Sequence, residues 1–315
     1  MIKTKITELL GIEYPLIQGG MAHISDAALA GAVSEAGGLG IITSVNRDPE
    51  FLKKEIDKIR KITDKPFGVN IMLQSPDIEK TAQIIVDEGV PVVTTGAGNP
   101  AKFMDMWNKA GVKVIPVIAS VAMARKVEQA GACAIVAEGC ESGGHVGEMT
   151  TMALIPQVCD NVNIPVIAAG GIADGRGVAA SFMLGAEGVQ IGTRFLVADE
   201  CLIHENYKKL IFKASDISTV VTGKRLGHPV RSIKTPFSRN YSKAEYSSIS
   251  DEDLEQSAVG ALYKAVAEGN EKEGCFLAGQ VAGMLTHTEP AADIVKSIMS
   301  QAEEILKGGS KQWVK

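Results

Sequence analysis

The sequence predicts an α/β fold of the (β/α)8 or TIM-barrel class, with a smaller inserted or C-terminal substrate subdomain. Three observations predict it. Short β-branched runs alternate with longer amphipathic segments through the first two-thirds of the chain, which is the pattern of repeated βα units around a parallel sheet. Eight such runs can be counted, the number that closes a barrel, and 315 residues suit a barrel with an insertion. The rival doubly wound sheet calls for G-x-G-x-x-G after its first strand, where this chain has QGGMAHIS.

In chain order the strands are predicted at 14–19, 38–43, 67–72, 90–95, 112–118, 132–138, 165–170 and 187–192. Helices fill the gaps. Asp26 and Pro49 open two of them, and Asp174 after GGIA is an N-cap candidate; each supplies an acceptor oxygen or a preset φ where helix amides lack partners. From about 203 to 270 the βα rhythm stops. That span holds TGKRLGHPVRSIKTPFSRNYSKAEYSS and then a helical DEDLEQSAVGALYKAVAEG, and it reads as a lid or substrate-binding wall, or alternatively as a dimerisation insert. Ile294, Ile298, Ala302 and Ile305 recur at helical spacing, so 291–306 is predicted to return as a helix covering the barrel, with 308–315 as a frayed tail. The division expected is a barrel over 1–202, an inserted subdomain over 203–289, and a returning helix and tail over 290–315.

Composition narrows the function classes. The hydrophobic share is 45% and no apolar stretch approaches twenty residues, which excludes a spanning helix. Net charge is −5, so no global positive field attracts nucleic acid or anionic lipid, and a nucleotide site must rely on local dipoles. The opening MIKTKITELLG has no secretory core, which points to the cytoplasm. Cys133, Cys140, Cys159, Cys201 and Cys275 are scattered and lack C-x-x-C pairing, so neither a disulfide framework nor a zinc site is suggested. No histidine stands at a metal-ligand spacing, and no metal centre is expected.

The chemistry concentrates at the predicted strand ends. AAGGIADG and QIGTRF follow the seventh and eighth strands, where barrels commonly hold a phosphate on backbone amides, so Gly170, Gly171, Gly192 and Thr193 form a candidate phosphate cradle. Arg194 is either a phosphate ligand or a solvated residue. Gly20, Met21 and Ala22 after strand one, Asn70 in strand three and Glu138 after strand six point toward the same mouth. Together they offer the backbone groups, apolar platform, amide and carboxylate that a flavin ring and ribityl chain require. EGCESGGHVGEMTT then places His145 on a glycine-rich loop after strand six, read as flexible and exposed, where a histidine can donate a hydrogen bond or proton to a developing enolate. Cys140 lacks a partnered base and reads as structural. Of the other histidines, His23 lies by the first turn and His228 in GHPVR, whereas His204 and His287 read as surface positions. Lys224, Arg225, Arg231, Lys234 and Arg239 form a basic cluster in an acidic chain. It faces either an anionic ligand, such as phosphopantetheine, a dinucleotide or an acidic carrier, or simply solvent.

QGGM, FGVNIML, EGCESGGHVG, PVIAAGGIADG, QIGTRF, TGKRLGHPVRSIK and GQVAGM together resemble the nitronate monooxygenase/2-nitropropane dioxygenase superfamily over nearly the whole chain. Within it, the GHPVR insert, TTMALIPQV and EGNEKEGCFLAGQVAGM are most similar to the FabK-type enoyl-[acyl-carrier-protein] reductases. The resemblance implies FMN in a barrel, NADH or NADPH as donor, trans-2-enoyl-acyl-carrier-protein as substrate, a monovalent-cation effect and a homodimer. It implies that Gly170, Gly171, Gly192 and Thr193 hold the FMN phosphate, that Gly20, Met21, Asn70 and Glu138 surround the rest, and that His145 is catalytic. One departure stands in IKTPF, where Thr235 and Pro236 follow the lysine and related sequences lead one to expect Asn. The rivals are a nitronate monooxygenase and a flavin-binding protein without catalysis.

Overall fold

A computed structural model describes residues 2–45 and 47–308. Eight parallel strands close into a barrel: β1 (Leu16–Gln18), β2 (Gly40–Thr43), β3 (Phe67–Met72), β4 (Val92–Gly96), β5 (Lys113–Ile118), β6 (Ile135–Glu138), β8 (Val166–Ala169) and β9 (Gly188–Ile191). The two-residue β7 (Gly144–His145) falls between β6 and β8, and β10 (Thr219–Thr222) and β11 (Val230–Ile233) follow the barrel. Each of the eight predicted strands is present, shortened at one or both ends in all but β3. Hydrogen bonding runs β1-β9-β8-β6-β5-β4-β3-β2, and the ring is completed between β1 and β2 by the Ile17–Leu39 bridge. There Gln18 N donates to Leu39 O and Leu39 N to Leu16 O, each at 2.9 Å.

The strands read as continuous apolar runs because both of their faces are covered, one by the cylinder interior and one by helices. Ile17, Ile41, Val92, Ile115, Val136 and Ile167 form one apolar cluster with Ile6 and Leu10 of the helix Lys5–Leu10, which plugs the amino end. The opposite, carboxyl end is left to the connecting loops. Asp26 caps the helix Ala27–Glu35 by accepting from the amides of Ala28 and Leu29. The helix Pro49–Ile62 starts as predicted, with Asp48 as its cap and Pro49 in its first turn. Asp174 likewise caps Gly175–Met183.

The helix predicted at 291–306 is present as Ala291–Gly308 and packs against Gly175–Met183 and Ala27–Glu35, so it is the eighth barrel helix. The Gly175 amide donates to Gln301 Oε1 at 2.7 Å across that contact. Of the predicted tail, 309–315 lie outside the described residues. Between β9 and this helix the chain forms four short helices, two strands and two 3-10 turns. The hairpin of β10 and β11 recruits β7 as a third antiparallel strand, with Val230 opposite His145 and Arg231 opposite Gly144. The two residues of the IKTPF departure start a helix. Thr235 is the buried N-cap of Pro236–Glu245 in a capping box with Ser238, and Pro236 takes the first turn, where its missing N–H costs nothing.

Candidate active site

The carboxyl end of the barrel gathers the predicted residues from five loops. Gly20, Met21 and Ala22 follow β1 and are half-buried. Their turn is pinned from within by Ser25, whose hydroxyl accepts from Met21 N at 2.9 Å and from Gln18 Nε2 at 2.8 Å. Asn70 of β3 meets this turn directly: a Cβ on Gly20 would lie 2.8 Å from Asn70 Cγ and closer still to its Cβ. Only glycine allows that approach. Asn70 is fixed by donating to Thr94 Oγ1 at 2.9 Å. Met21 reaches the eighth strand, its Sδ 3.9 Å from where a Cβ of Gly192 would stand.

The two glycine turns behave differently. Gly170 and Gly171 follow β8 with φ of 92° and 73°, and a Cβ on Gly170 would come within 2.6 Å of Gly139 O. Gly192 has φ −108° and almost nothing around its missing side chain. Thr193 then begins a 3-10 turn through Val197. The amides of Gly171, Gly192 and Thr193 donate no hydrogen bond among the described residues, which leaves three N–H groups in the turns after β8 and β9 for another acceptor. The Thr193 hydroxyl accepts from Gly279 N at 2.9 Å and keeps its own proton for another acceptor. Three unpaired donors beside an open glycine fit an anionic oxygen cluster such as the phosphate of FMN. Arg194 does not take part: it is paired with Glu289 in a largely buried ion pair.

Glu138 ends β6, and burial pushes its carboxyl up to about 7, the nearby Ser142 hydroxyl only partly opposing the shift. His145 is not on a free loop. It forms β7, held by β11, and the next residue continues the pairing, with Val146 N donating to Pro229 O at 3.0 Å. Its side chain reaches solvent, yet the surrounding protein and the neighbouring His228 lower its pKa below 6.5, so the imidazole is neutral at pH 7.

Several residues that hold this arrangement carry no recognisable mark in the sequence. The Glu141 carboxylate accepts from Thr151 N at 3.0 Å and from its hydroxyl at 2.9 Å, and Thr151 Oγ1 also lies 2.9 Å from Gly170 O. Arg231 belongs to this framework: it is 8% exposed, and its Nε and Nη2 donate to Cys140 O at 3.1 and 2.9 Å. The basic cluster is accordingly dispersed, since Arg225 pairs with Asp251 and Lys234 donates to Ile217 O at 2.6 Å. Lys224 and Arg239 remain exposed. His204 is likewise no mere surface residue: its Nδ1 accepts from Asn206 N at 3.1 Å and caps the helix Glu205–Phe212. No group of three His, Cys, Asp or Glu able to hold a metal ion occurs among the described residues.

The nitronate monooxygenase family model matches residues 3–85 and 77–301, which takes in both the barrel and the segment after β9. The chain belongs to the nitronate monooxygenase family. This is a family of flavin-dependent oxidoreductases. Among solved structures, FabK from Thermotoga maritima is 49% identical with a TM-score of 0.97, each chain being covered in full. A nitroalkane oxidase from Streptomyces ansochromogenes is 28% identical at a TM-score of 0.87, over 97% of this chain and 99% of that one. Among curated family members, a hydroxy-methyl-oxo-octahydroindene-carboxyl-CoA dehydrogenase of Mycobacterium tuberculosis is 35% identical, with 96% of each chain covered. A probable nitronate monooxygenase of Staphylococcus saprophyticus is 33% identical, over 97% of this chain and 99% of that one.

Proposed function

We propose that this chain is an FMN-dependent enoyl-acyl-carrier-protein reductase that uses NADH or NADPH to reduce a trans-2-enoyl thioester, the last step of fatty-acid elongation. The observation that carries this reading is the likeness to FabK at 49% identity over both full lengths, including the segment after β9. The CoA dehydrogenase relatives add support for an acyl thioester as the substrate class.

In this reading Gly170, Gly171, Gly192 and Thr193 hold the FMN phosphate, and Gly20, Met21, Ala22, Asn70 and Glu138 surround the ribityl chain and ring. FMN, when bound, supplies the two-electron chemistry that takes hydride from a nicotinamide and passes it to the β-carbon of the enoyl thioester. The protein's part is to bind, orient and stabilise. Negative charge gathers on the thioester oxygen, and the neutral imidazole of His145 is suited to donate a hydrogen bond to it. Residues 203–289 act as the substrate-binding subdomain, with acyl carrier protein as partner and a homodimer in the cytoplasm as the working form. A monovalent cation is an accessory ligand.

Anaerobic addition of NADH or NADPH to the yellow protein, followed by crotonyl thioester, tests the proposal. Bleaching and then recovery of the flavin colour is expected. No bleaching by either nicotinamide, together with oxygen consumption on adding an alkyl nitronate, overturns it in favour of a nitronate monooxygenase, the second reading that the family match supports.

A further inference from the structure

The strand pairing that fixes His145 also brings a second imidazole to it. Val230 lies opposite His145 and Arg231 opposite Gly144, and Val146 N donates to Pro229 O at 3.0 Å, so the ladder continues with Pro229 opposite Val146 and His228 opposite Gly147. Successive side chains alternate between the two faces of a sheet. His145, Val230 and His228 therefore share one face, and the two histidines are diagonal neighbours, a relation that sets residues about 7–8 Å apart and within reach of long or aromatic side chains. The His228 backbone is held in place. Its N donates to Gly223 O at 3.0 Å, and Gly223 and Gly227 take φ of 80° and 74° in the turn that leads to it. Both histidines are exposed.

The other charges around the pair are engaged elsewhere or face water. Arg231 alternates to the opposite face and is turned onto Cys140 O. Arg225, in the turn before His228, pairs with Asp251, and Lys224 beside it is exposed. On the histidine loop the Glu141 carboxylate accepts from Thr151, and Glu148 is exposed. The neighbours that Gly147 and Gly144 meet, Ala119 and Leu277, are uncharged. His145 is held below its ordinary pKa first by burial and then by His228, so the second imidazole is the charge that acts on it.

We propose that His228 is a positioning residue that relays solvent protons to His145, an assignment that rests on the reductase reading for the reaction it serves. Hydride addition to the β-carbon leaves an enolate whose α-carbon needs a proton. One ring nitrogen of neutral His145 gives its proton to that carbon, where the enolate electron pair forms the new C–H bond as the thioester C=O is restored. The other nitrogen takes a proton from the His228 ring, directly or through one water, and solvent replaces it. His145 is thus neutral before and after, whereas a neutral imidazole acting alone would be left as an imidazolate. Exchange with solvent restores its first tautomer once product has left.

Two readouts on the flavin-loaded protein test this. NMR titration of the histidine ring protons needs no turnover, and the His145 signal is identified by its loss in His145→Gln. In His228→Ala the His145 pKa is expected to rise by about half a unit or more, because a like charge about 7–8 Å away is removed. Turnover of crotonyl thioester by His228→Ala is expected to fall about tenfold or more and to recover severalfold when imidazole is added to the buffer, since the free base replaces the missing ring. Flavin content and melting temperature report that the variant is folded. A His145 titration identical to wild type overturns the proposal, as does a turnover loss that imidazole leaves unchanged or the absence of any loss. A wild-type protein that reduces no enoyl thioester, while the His145 titration still moves in His228→Ala, overturns the reductase reading and leaves the coupled histidine pair standing.

Discussion

The two glycine turns should separate folding from ligand binding when each receives a single methyl group. At Gly170 the backbone has φ 92°, and an added Cβ would lie 2.6 Å from Gly139 O and 3.1 Å from Gly139 N. The left-handed conformation costs an alanine about 1–2 kcal/mol, and forcing a methyl into packed backbone costs about 1–3 kcal/mol more. Gly170→Ala is therefore expected to lose about 2–5 kcal/mol, a fall in Tm of roughly 4–10 °C for a chain of this size. At Gly192 the φ of −108° suits any residue, and the only neighbour of an added Cβ is Met21 Sδ at 3.9 Å. Gly192→Ala should leave the flavin-free protein within about 0.5 kcal/mol of wild type or slightly more stable, since alanine restricts the unfolded chain. In the proposed phosphate cradle the same methyl would stand beside the unpaired amides of Gly192 and Thr193, so FMN affinity should fall about tenfold or more. Flavin-free protein is melted with and without added FMN, and FMN is titrated by fluorescence quenching. A Gly192→Ala protein that binds FMN as tightly as wild type refutes the phosphate cradle. A Gly170→Ala protein that melts with wild type refutes the steric argument.

Other perturbations address the remaining parts of the site. His145→Ala should retain flavin and lose about two to four orders of magnitude in enoyl reduction, measured as turnover with crotonyl thioester; near-normal turnover removes His145 from the proposal. Because folding raises the Glu138 pKa from 4.5 to about 7, its contribution to stability is full below pH 4.5 and is lost as pH rises through 7. The loss amounts to about 3 kcal/mol between these limits, so urea midpoints of flavin-free wild type and Glu138→Gln should diverge in favour of the glutamine variant on going from pH 5 to 8, and parallel profiles would contradict the assignment. Arg231→Met removes both donors from Cys140 O and should cost about 2–4 kcal/mol in chemical denaturation. Arg231→Lys should rescue little of this, because an ammonium cannot reproduce the fork.

The barrel was legible because each strand is a short β-branched run bounded by glycine, proline or polar residues, and the caps at Asp26 and Asp174 carry their own side-chain signal. The candidate site was legible as far as it sits at strand ends, since the barrel delivers Gly20, Asn70, Glu138, Gly170 and Gly192 to one mouth whatever their chemistry. The third strand of the small sheet was not. β7 is two residues long and flanked by glycine, and its partner Val230–Ile233 lies far along the chain, so no local periodicity announces the pairing. Arg231 was misread for a related reason: sequence shows a charge, and only the fold shows that the charge is turned inward onto a carbonyl. Arg194 and Lys234 follow the same rule, their partners Glu289 and Ile217 being distant or on the backbone. His145 was placed at the right strand end, but its rigidity comes from β11 and had no local sign.

The chain leaves the cylinder after β9 and returns to it at almost the same point. Ala198 bridges to Glu289, Asp199 N donates to Glu289 O at 3.0 Å, Ala291 N donates to Glu200 Oε2 at 2.8 Å, and Arg194 pairs with Glu289. Departure and return are thus stitched together, while the segment between them also reaches back to the barrel's loops through β11 on β7, Arg231 on Cys140 O and Gly279 N on Thr193. A chimera spliced at Ala198 and Glu289 therefore has to carry the loop between β6 and β8 along with the exchanged segment, because β7 and Cys140 are held by β11 and Arg231.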